Sequence, residues 1–278
     1  MSTQALSAFA QIPATVGNLE LDIMGAIVSI RHEDRADIAL KANYPDTWAI
    51  KGGSVRQTKV QVPSGNNMII GGGSVSISGG VISTGRGTTV VRAGGRNVSI
   101  VNGEVWVDGK KVTGSEESSS DAKSNDPDKL EIIIPNTYRG SLDLSNAGDG
   151  NVDLDCWQGG NFTVSLSGCG DLKAGRLSDV SAVNLHSSGT GDIEIESLAS
   201  QSFQSALTGT GDLNVEELNT GTFSLRQTGT GDATIDSGSA QSGSVTNSGT
   251  GDTTMRGRFG NISKRNIGVG DVKIRVRE

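Results

Sequence analysis

Four stretches of the chain carry one tetrapeptide: Gly189-Thr190-Gly191-Asp192, Gly209-Thr210-Gly211-Asp212, Gly229-Thr230-Gly231-Asp232 and Gly249-Thr250-Gly251-Asp252. Relaxed copies flank them: Asn146-Ala147-Gly148-Asp149 and Gly168-Cys169-Gly170-Asp171 before, Gly268-Val269-Gly270-Asp271 after. The aspartates Asp149, Asp171, Asp192, Asp212, Asp232, Asp252 and Asp271 follow one another at steps of 22, 21, 20, 20, 20 and 19 residues. A near-constant step of this size marks a repeat architecture. A sandwich of antiparallel hairpins also tolerates strands every ten residues or so, but it does not require identical turns at a fixed interval.

Outward from each turn the apolar residues alternate. Ile193 and Ile195, Leu213 and Val215, and Val272 and Ile274 take the first and third places after the aspartate, with Glu194, Asn214 and Lys273 between them. Ala233 with Ile235, and Thr253 with Met255, are weaker copies. Six and four positions before the first glycine come Phe162/Val164, Val183/Leu185, Phe203/Ser205, Phe223/Leu225 and Gly243/Val245, and a leucine recurs midway at Leu177, Leu198 and Leu218. Period-two alternation buries one face of each strand. A single unit cannot close a core, so the units must stack, with equivalent side chains ~4.8 Å apart in apolar ladders. The reading is an all-β parallel β-helix or β-solenoid with right-handed coils of about twenty residues. The turn glycines are expected to supply positive φ at each corner and to leave no side chain against the neighbouring coil.

The remaining chain divides by composition. Residues 1–63 hold alternating segments at 19–23, 26–30 and 37–41 and are expected to form opening coils or a cap. Residues 64–113 run from a Gly/Ser/Val-rich stretch, readable as short strands or as a loop, into a small meander over 97–113. Asn102-Gly103 and Asp108-Gly109 are its hairpin signals, with Trp106 on its buried face. Residues 114–129 combine acids, serines and no large apolar side chain, which reads as a disordered linker. Residues 130–278 carry the repeats.

Composition bounds the function. The 278-residue chain has a net charge of −7, 20% charged residues, 40 glycines and 4% aromatics. An acidic balance argues against nucleic acid. No apolar run is long enough for a membrane-spanning helix. The first sixteen residues have no basic residue and no sustained apolar run, so no secretory signal is visible and the sequence by itself reads as cytoplasmic. The two cysteines, Cys156 and Cys169, read as small half-buried thiols in adjacent coils, with cross-linking left open.

The segment Leu130-Glu131-Ile132-Ile133-Ile134-Pro135, then Ser141-Leu142-Asp143-Leu144, then serial Gly-x-Gly-Asp turns, resembles the bacterial auto-transporter adhesin head GIN domain family. The resemblance covers 130–278 and, loosely, 14–50. It implies a β-helical, surface-associated, non-catalytic protein. The glycine-rich insert and the missing export or anchor signal depart from it.

Candidate chemistry is weighed against that background. The aspartate column invites a calcium reading; backbone capping, with each carboxylate accepting hydrogen bonds from its own turn, is preferred. The threonine column (Thr190, Thr210, Thr230, Thr250) suggests an ice-binding ladder, set aside because the threonines sit singly at a corner. A polysaccharide-processing enzyme would need one odd cluster of carboxylates, whereas the polar residues here repeat evenly. His32 and His186 read as surface histidines, and Trp157 as core or rim packing rather than a sugar platform. No metal-ligand spacing, cofactor motif or catalytic residue is identified. The final strand alternates Val272, Ile274 and Val276 with Lys273, Arg275 and Arg277, a basic row that either blunts an open edge or meets a second copy of the chain. The expected function is therefore structural: self-assembly into an oligomer or filament, or an adhesin-like rod meeting surface glycan or protein, with a carbohydrate-binding or -processing β-helix as the alternative.

Overall fold

A computed structural model describes residues 4–5, 9–58, 89–93, 96–101, 104–107, 110–111 and 127–276. In chain order the first strands are β1 (Gln4–Ala5), β2 (Phe9–Pro13), β3 (Asn18–Ile23), β4 (Ile27–Glu33), β5 (Asp37–Ala42), β6 (Trp48–Lys51) and β7 (Ser54–Gln57). Then come β8 (Thr89–Ala93), β9 (Arg96–Val101), β10 (Glu104–Val107) and β11 (Lys110–Lys111). The repeat region follows: β12 (Lys129–Pro135), β13 (Ser141–Asn146), β14 (Val152–Gln158), β15 (Asn161–Leu166), β16 (Leu172–Ser187), β17 (Ile193–Leu207), β18 (Leu213–Gln227), β19 (Ala233–Asn247), β20 (Thr253–Asn266) and β21 (Val272–Val276).

The chain forms two units, residues 61–127 and the rest. The strands of residues 4–57 belong to the same unit as the repeats. Among the described residues the smaller unit is an antiparallel sheet in the order β11-β10-β9-β8: β9 to β11 are the meander expected over 97–113, and β8 adds a strand before it. The side chain of Trp106, the two hairpin turns and the linker stretch 114–126 lie outside the described residues. The linker reading does not extend to its last residues: Asp128 is buried and Lys129 opens β12.

The body is a parallel β-solenoid. Strands β16 to β20 pair in register coil on coil, Ile193 opposite Leu213, Ala233 and Thr253 in turn, and Ile195 opposite Val215, Ile235 and Met255. Alternation dictates which side chains face in, and the predicted ladders are the buried ones: Phe162, Val183, Phe203 and Phe223 form one column, and Trp157, Leu177, Leu198 and Leu218 another. Each fully buried aliphatic side chain contributes about 1.5–3 kcal/mol, so an added coil offsets its own ordering entropy only because its neighbours cover it. Where the pattern weakens at Gly243, a Cβ would lie 2.1 Å from the ring of Phe223. That ring therefore occupies the missing side chain's place and packs on Phe259, centroids 5.8 Å apart.

Departures from a twenty-residue step are absorbed at two bulges. The long coil places its extra residue between Leu177 and Val180, where Asp179 takes φ 54°. The short coil shifts register after Ile235, opposite Gly257 at φ 147°. Both conformations lie in the left-handed region.

The opening is interleaved rather than serial. β3 and β4 form a coil on which β13 and β14 stack in parallel. β12 pairs with the other edge of β4 and, antiparallel, with β5; β2 then extends that sheet on β5. Residues 9–57 are therefore both an opening coil and a cap.

Candidate functional site

Four features could carry chemistry: the turn column, a polar groove, and two clusters that tie the N-terminal strands to the repeats.

The turn glycines do not work through positive φ; none of those in the Gly-x-Gly-Asp turns has it. They work through close approach. A Cβ on Gly209 would lie 1.9 Å from the Gly189 carbonyl oxygen, and one on Gly211 2.0 Å from that of Gly191. The aspartates form a ladder, but between coils rather than within their own turns. The backbone N–H groups of Asp192, Asp212, Asp232, Asp252 and Asp271 each donate to the carboxylate of the preceding aspartate at 2.7–2.9 Å. The ladder starts at Asn151, whose Oδ1 accepts from Asp171 at 3.0 Å, and not at Asp149. Asp149 stands instead opposite Cys169 and ahead of the threonines, two residues out of phase. The same role played by a neutral amide at Asn151 yields a prediction. Asp212→Asn should leave the thermal midpoint within about 2 °C of wild type, because it keeps the acceptor and removes one of the stacked like charges. Asp212→Ala should lower stability by about 1 kcal/mol, measured in parallel urea titrations.

Thr190, Thr210, Thr230 and Thr250 are exposed, but they share their face with Ser188, Thr208, Thr228 and Ser248, so hydroxyls stand in two columns and not one. Inside the turns are buried amides that the sequence pattern did not single out. Asn146 and Asn247 donate to the carbonyls of Gly150 and Gly251 and accept from Gly148 and Gly249. Gln227 donates to Gly231 in the same way. The visible signal is an Asn or Gln two positions before a turn glycine, at Asn146, Gln227 and Asn247.

On the opposite flank, where each coil bends between its two strand halves, a groove of about 580 Å³ crosses successive coils. Asp179, Gln201, Asn219, Ser239, Gln241 and Arg258 line it. Asn219 accepts from Ser239 at 3.1 Å, and the hydroxyls of Ser200 and Thr220 lie 3.1 Å apart.

Asp128 is 4% exposed and gathers three donors: Thr47 Oγ1 at 2.6 Å, Gln57 Nε2 at 3.0 Å and Trp48 Nε1 at 3.3 Å. Burial pushes its carboxyl above the usual range, against the pull of those hydrogen bonds. Gln57 in turn accepts the backbone N–H groups of Met24, Gly25 and Ala26 through one oxygen. It thus serves the first turn as Asn146 serves the next.

His32 is not a free surface residue. Its side chain is 9% exposed, and Nδ1 lies 3.0 Å from Asp155 Oδ1 and 3.3 Å from Cys156 Sγ. The His32 backbone N–H donates to the other Asp155 oxygen at 3.0 Å. Burial opposes ionisation of Asp155, but the hydrogen bonds and charge of His32 outweigh it and hold the carboxyl below its ordinary range. Burial and the neighbouring Asp155 push the Cys156 thiol up to about 11. Trp157 is fully buried core, edge-on to His32 and Tyr138. Both cysteines are free thiols, Cys169 exposed and Cys156 half-buried; His186 is exposed as expected.

At the basic row, Lys273 pairs with Asp271 at 3.0 Å and with Asp252 at 4.0 Å, and Arg275 is exposed. Arg277 lies outside the described residues. No helix among the described residues is long and apolar enough to cross a membrane.

Residues 88–258 match the model of the family described as "Putative auto-transporter adhesin, head GIN domain". The chain belongs to this family. The match starts well before residue 130, so the GIN domain takes in part of the smaller unit as well as most of the repeats. Two crystal structures resemble the whole chain. One is described as a putative adhesin from Bacteroides fragilis, with 14% identity, TM-score 0.47, and 98% of this chain and 96% of that chain covered. The other is described as a putative lipid binding protein from Parabacteroides distasonis, with 13% identity, TM-score 0.48 and the same coverage. No curated protein matches the chain. As a GIN domain the chain is an adhesin-like, non-enzymatic β-solenoid.

Proposed function

We propose that the chain is a rigid adhesive rod displayed at the cell surface, and that it holds an extended carbohydrate in the groove across its flank. The groove carries this reading. Each coil that it crosses offers at least one polar side chain at the ~4.8 Å step (Asp179, Gln201, Asn219, Gln241 and Arg258 in turn), so a polymer laid along the axis meets a hydrogen-bonding group at each coil. Amide and hydroxyl side chains on a rigid sheet pair with sugar hydroxyls at little entropic cost. Membership of an adhesin head family supports the surface location.

Self-association through the last coil is the second reading. In its favour, the turn columns carry Ile267 and Val269, 63% and 87% exposed, where the four preceding coils carry Ser or Thr. Against it, the inward position of Val245 is taken in the next coil by Lys264, whose ammonium donates to the Val272 carbonyl. A charge at an inward position blunts an edge. The rod reading is therefore preferred.

Titration against a panel of soluble bacterial and host polysaccharides tests it. At least one polysaccharide is expected to bind, with affinity falling about tenfold in Asn219→Ala or Gln241→Ala while the melting curve stays put, since both side chains are exposed. Retention of none, or binding indifferent to both substitutions, would remove the groove from the account.

A further inference from the structure

We propose that His32, Asp155 and Cys156 form a site for a divalent transition-metal ion of the zinc class, and that the ion clips the opening coil to the body of the solenoid.

Three different donors converge there: an imidazole nitrogen, a carboxylate oxygen and a thiol sulfur, all within 4.8 Å of one another. His32 comes from β4, the other two from β14, and the parallel pairing of Val28–Ile30 with Val152–Leu154 brings them side by side. Successive residues of a strand normally point to opposite faces. At Asp155 the ladder with β16 is interrupted, pairing at Leu154 and resuming at Cys156, so both side chains reach the same histidine.

The two edges from the histidine are close to what such an ion needs. Around a tetrahedral zinc with Zn–N and Zn–O near 2.1 Å and Zn–S near 2.3 Å, the N···O and N···S edges are roughly 3.4 and 3.6 Å. The corresponding distances here are 3.0 and 3.3 Å. A few tenths of an ångström of separation admits the ion. The Asp155 side chain is 45% exposed, which leaves the fourth position to water.

The donor set selects the metal. Sulfur and imidazole suit zinc or cobalt; calcium and magnesium want oxygens throughout. Binding needs the histidine tautomer with its proton on Nε2, and releases the Cys156 proton to solvent as the sulfur–metal bond forms. Around the donors, Trp157 lies edge-on to the imidazole at 6.2 Å, and the Cys156 backbone N–H donates to Asp155 at 2.5 Å. The consequence goes beyond adhesion. An ion here ties residue 32 to residues 155–156 and makes seating of the N-terminal cap metal-dependent.

The test uses the full chain, stripped with chelator and reloaded. Saturating Zn²⁺ is expected to raise the thermal midpoint by about 5 °C, with no change from Mg²⁺ or Ca²⁺. Co²⁺ should bring a near-ultraviolet sulfur-to-cobalt band. Both responses should vanish in Cys156→Ser and in His32→Ala and persist in Cys169→Ser. The cobalt spectrum is read on the unaltered chain, so an unstable variant does not remove the test. A wild-type chain that ignores millimolar Zn²⁺, a cobalt complex without the sulfur band, or a zinc shift that survives both substitutions overturns the proposal.

Discussion

Replacing Gly211 with alanine is expected to cost at least about 3 kcal/mol and to lower the thermal midpoint by roughly 10 °C, read by far-ultraviolet circular dichroism. The added methyl carbon would sit 2.0 Å from the Gly191 carbonyl oxygen, and a peptide group cannot move aside as a side chain can. Relief requires lifting one coil off the next. That breaks the contact between Thr210 N–H and the Gly189 carbonyl at 3.0 Å and the Asp212–Asp192 rung beside it. The exposed neighbour Thr210 is the control: Thr210→Ala should be close to neutral. Equal losses at both positions would mean that the turn is held by its side chains and not by backbone approach.

Trp157→Ala is expected to cost about 3–5 kcal/mol, the range for removing a large aromatic from a packed core. The indole is fully buried and touches three rings: Tyr138 at 5.7 Å, His32 at 6.2 Å and Phe162 at 6.4 Å between centroids. It therefore joins the opening coil to the first repeats, and its loss opens a cavity where two differently built regions meet. Trp157→Phe should recover most of the stability. The buried Nε1 has no hydrogen-bond partner among the described residues, so removing it gives up no bond. Guanidinium unfolding midpoints of the two variants separate shape from polarity. If Phe proved as damaging as Ala, the indole nitrogen would have a partner that the structure does not show.

The ladders were legible because stacking repeats one environment at a fixed step, and Leu177, Leu198 and Leu218 obey it. The ladder expected to begin at Asp149 begins at Asn151, because Gly148-Asp149-Gly150-Asn151 holds two overlapping candidates. The step of 22 to Asp171, against 20 from Asn151, was the available clue. At the turn glycines the expected crowding is present and the expected positive φ is not, since sequence shows that a side chain is missing but not which constraint removed it. The His32 cluster could not be found from spacing. His32 lies 123 residues before Asp155, and the two meet only through the pairing of two strands that no local motif announces. Asp128 was lost to its neighbours' composition: an acid at the end of an acidic stretch gives no sign that Thr47, Trp48 and Gln57 await it.

The bond between Gln57 Nε2 and Asp128 Oδ2 has an architectural consequence. The main body gives up its chain near residue 57 and takes it back near residue 128 at almost the same point. Because the body's own side chains hold its exit and re-entry points together, the backbone on either side keeps its register, and lengthening the chain between them adds closure entropy only slowly.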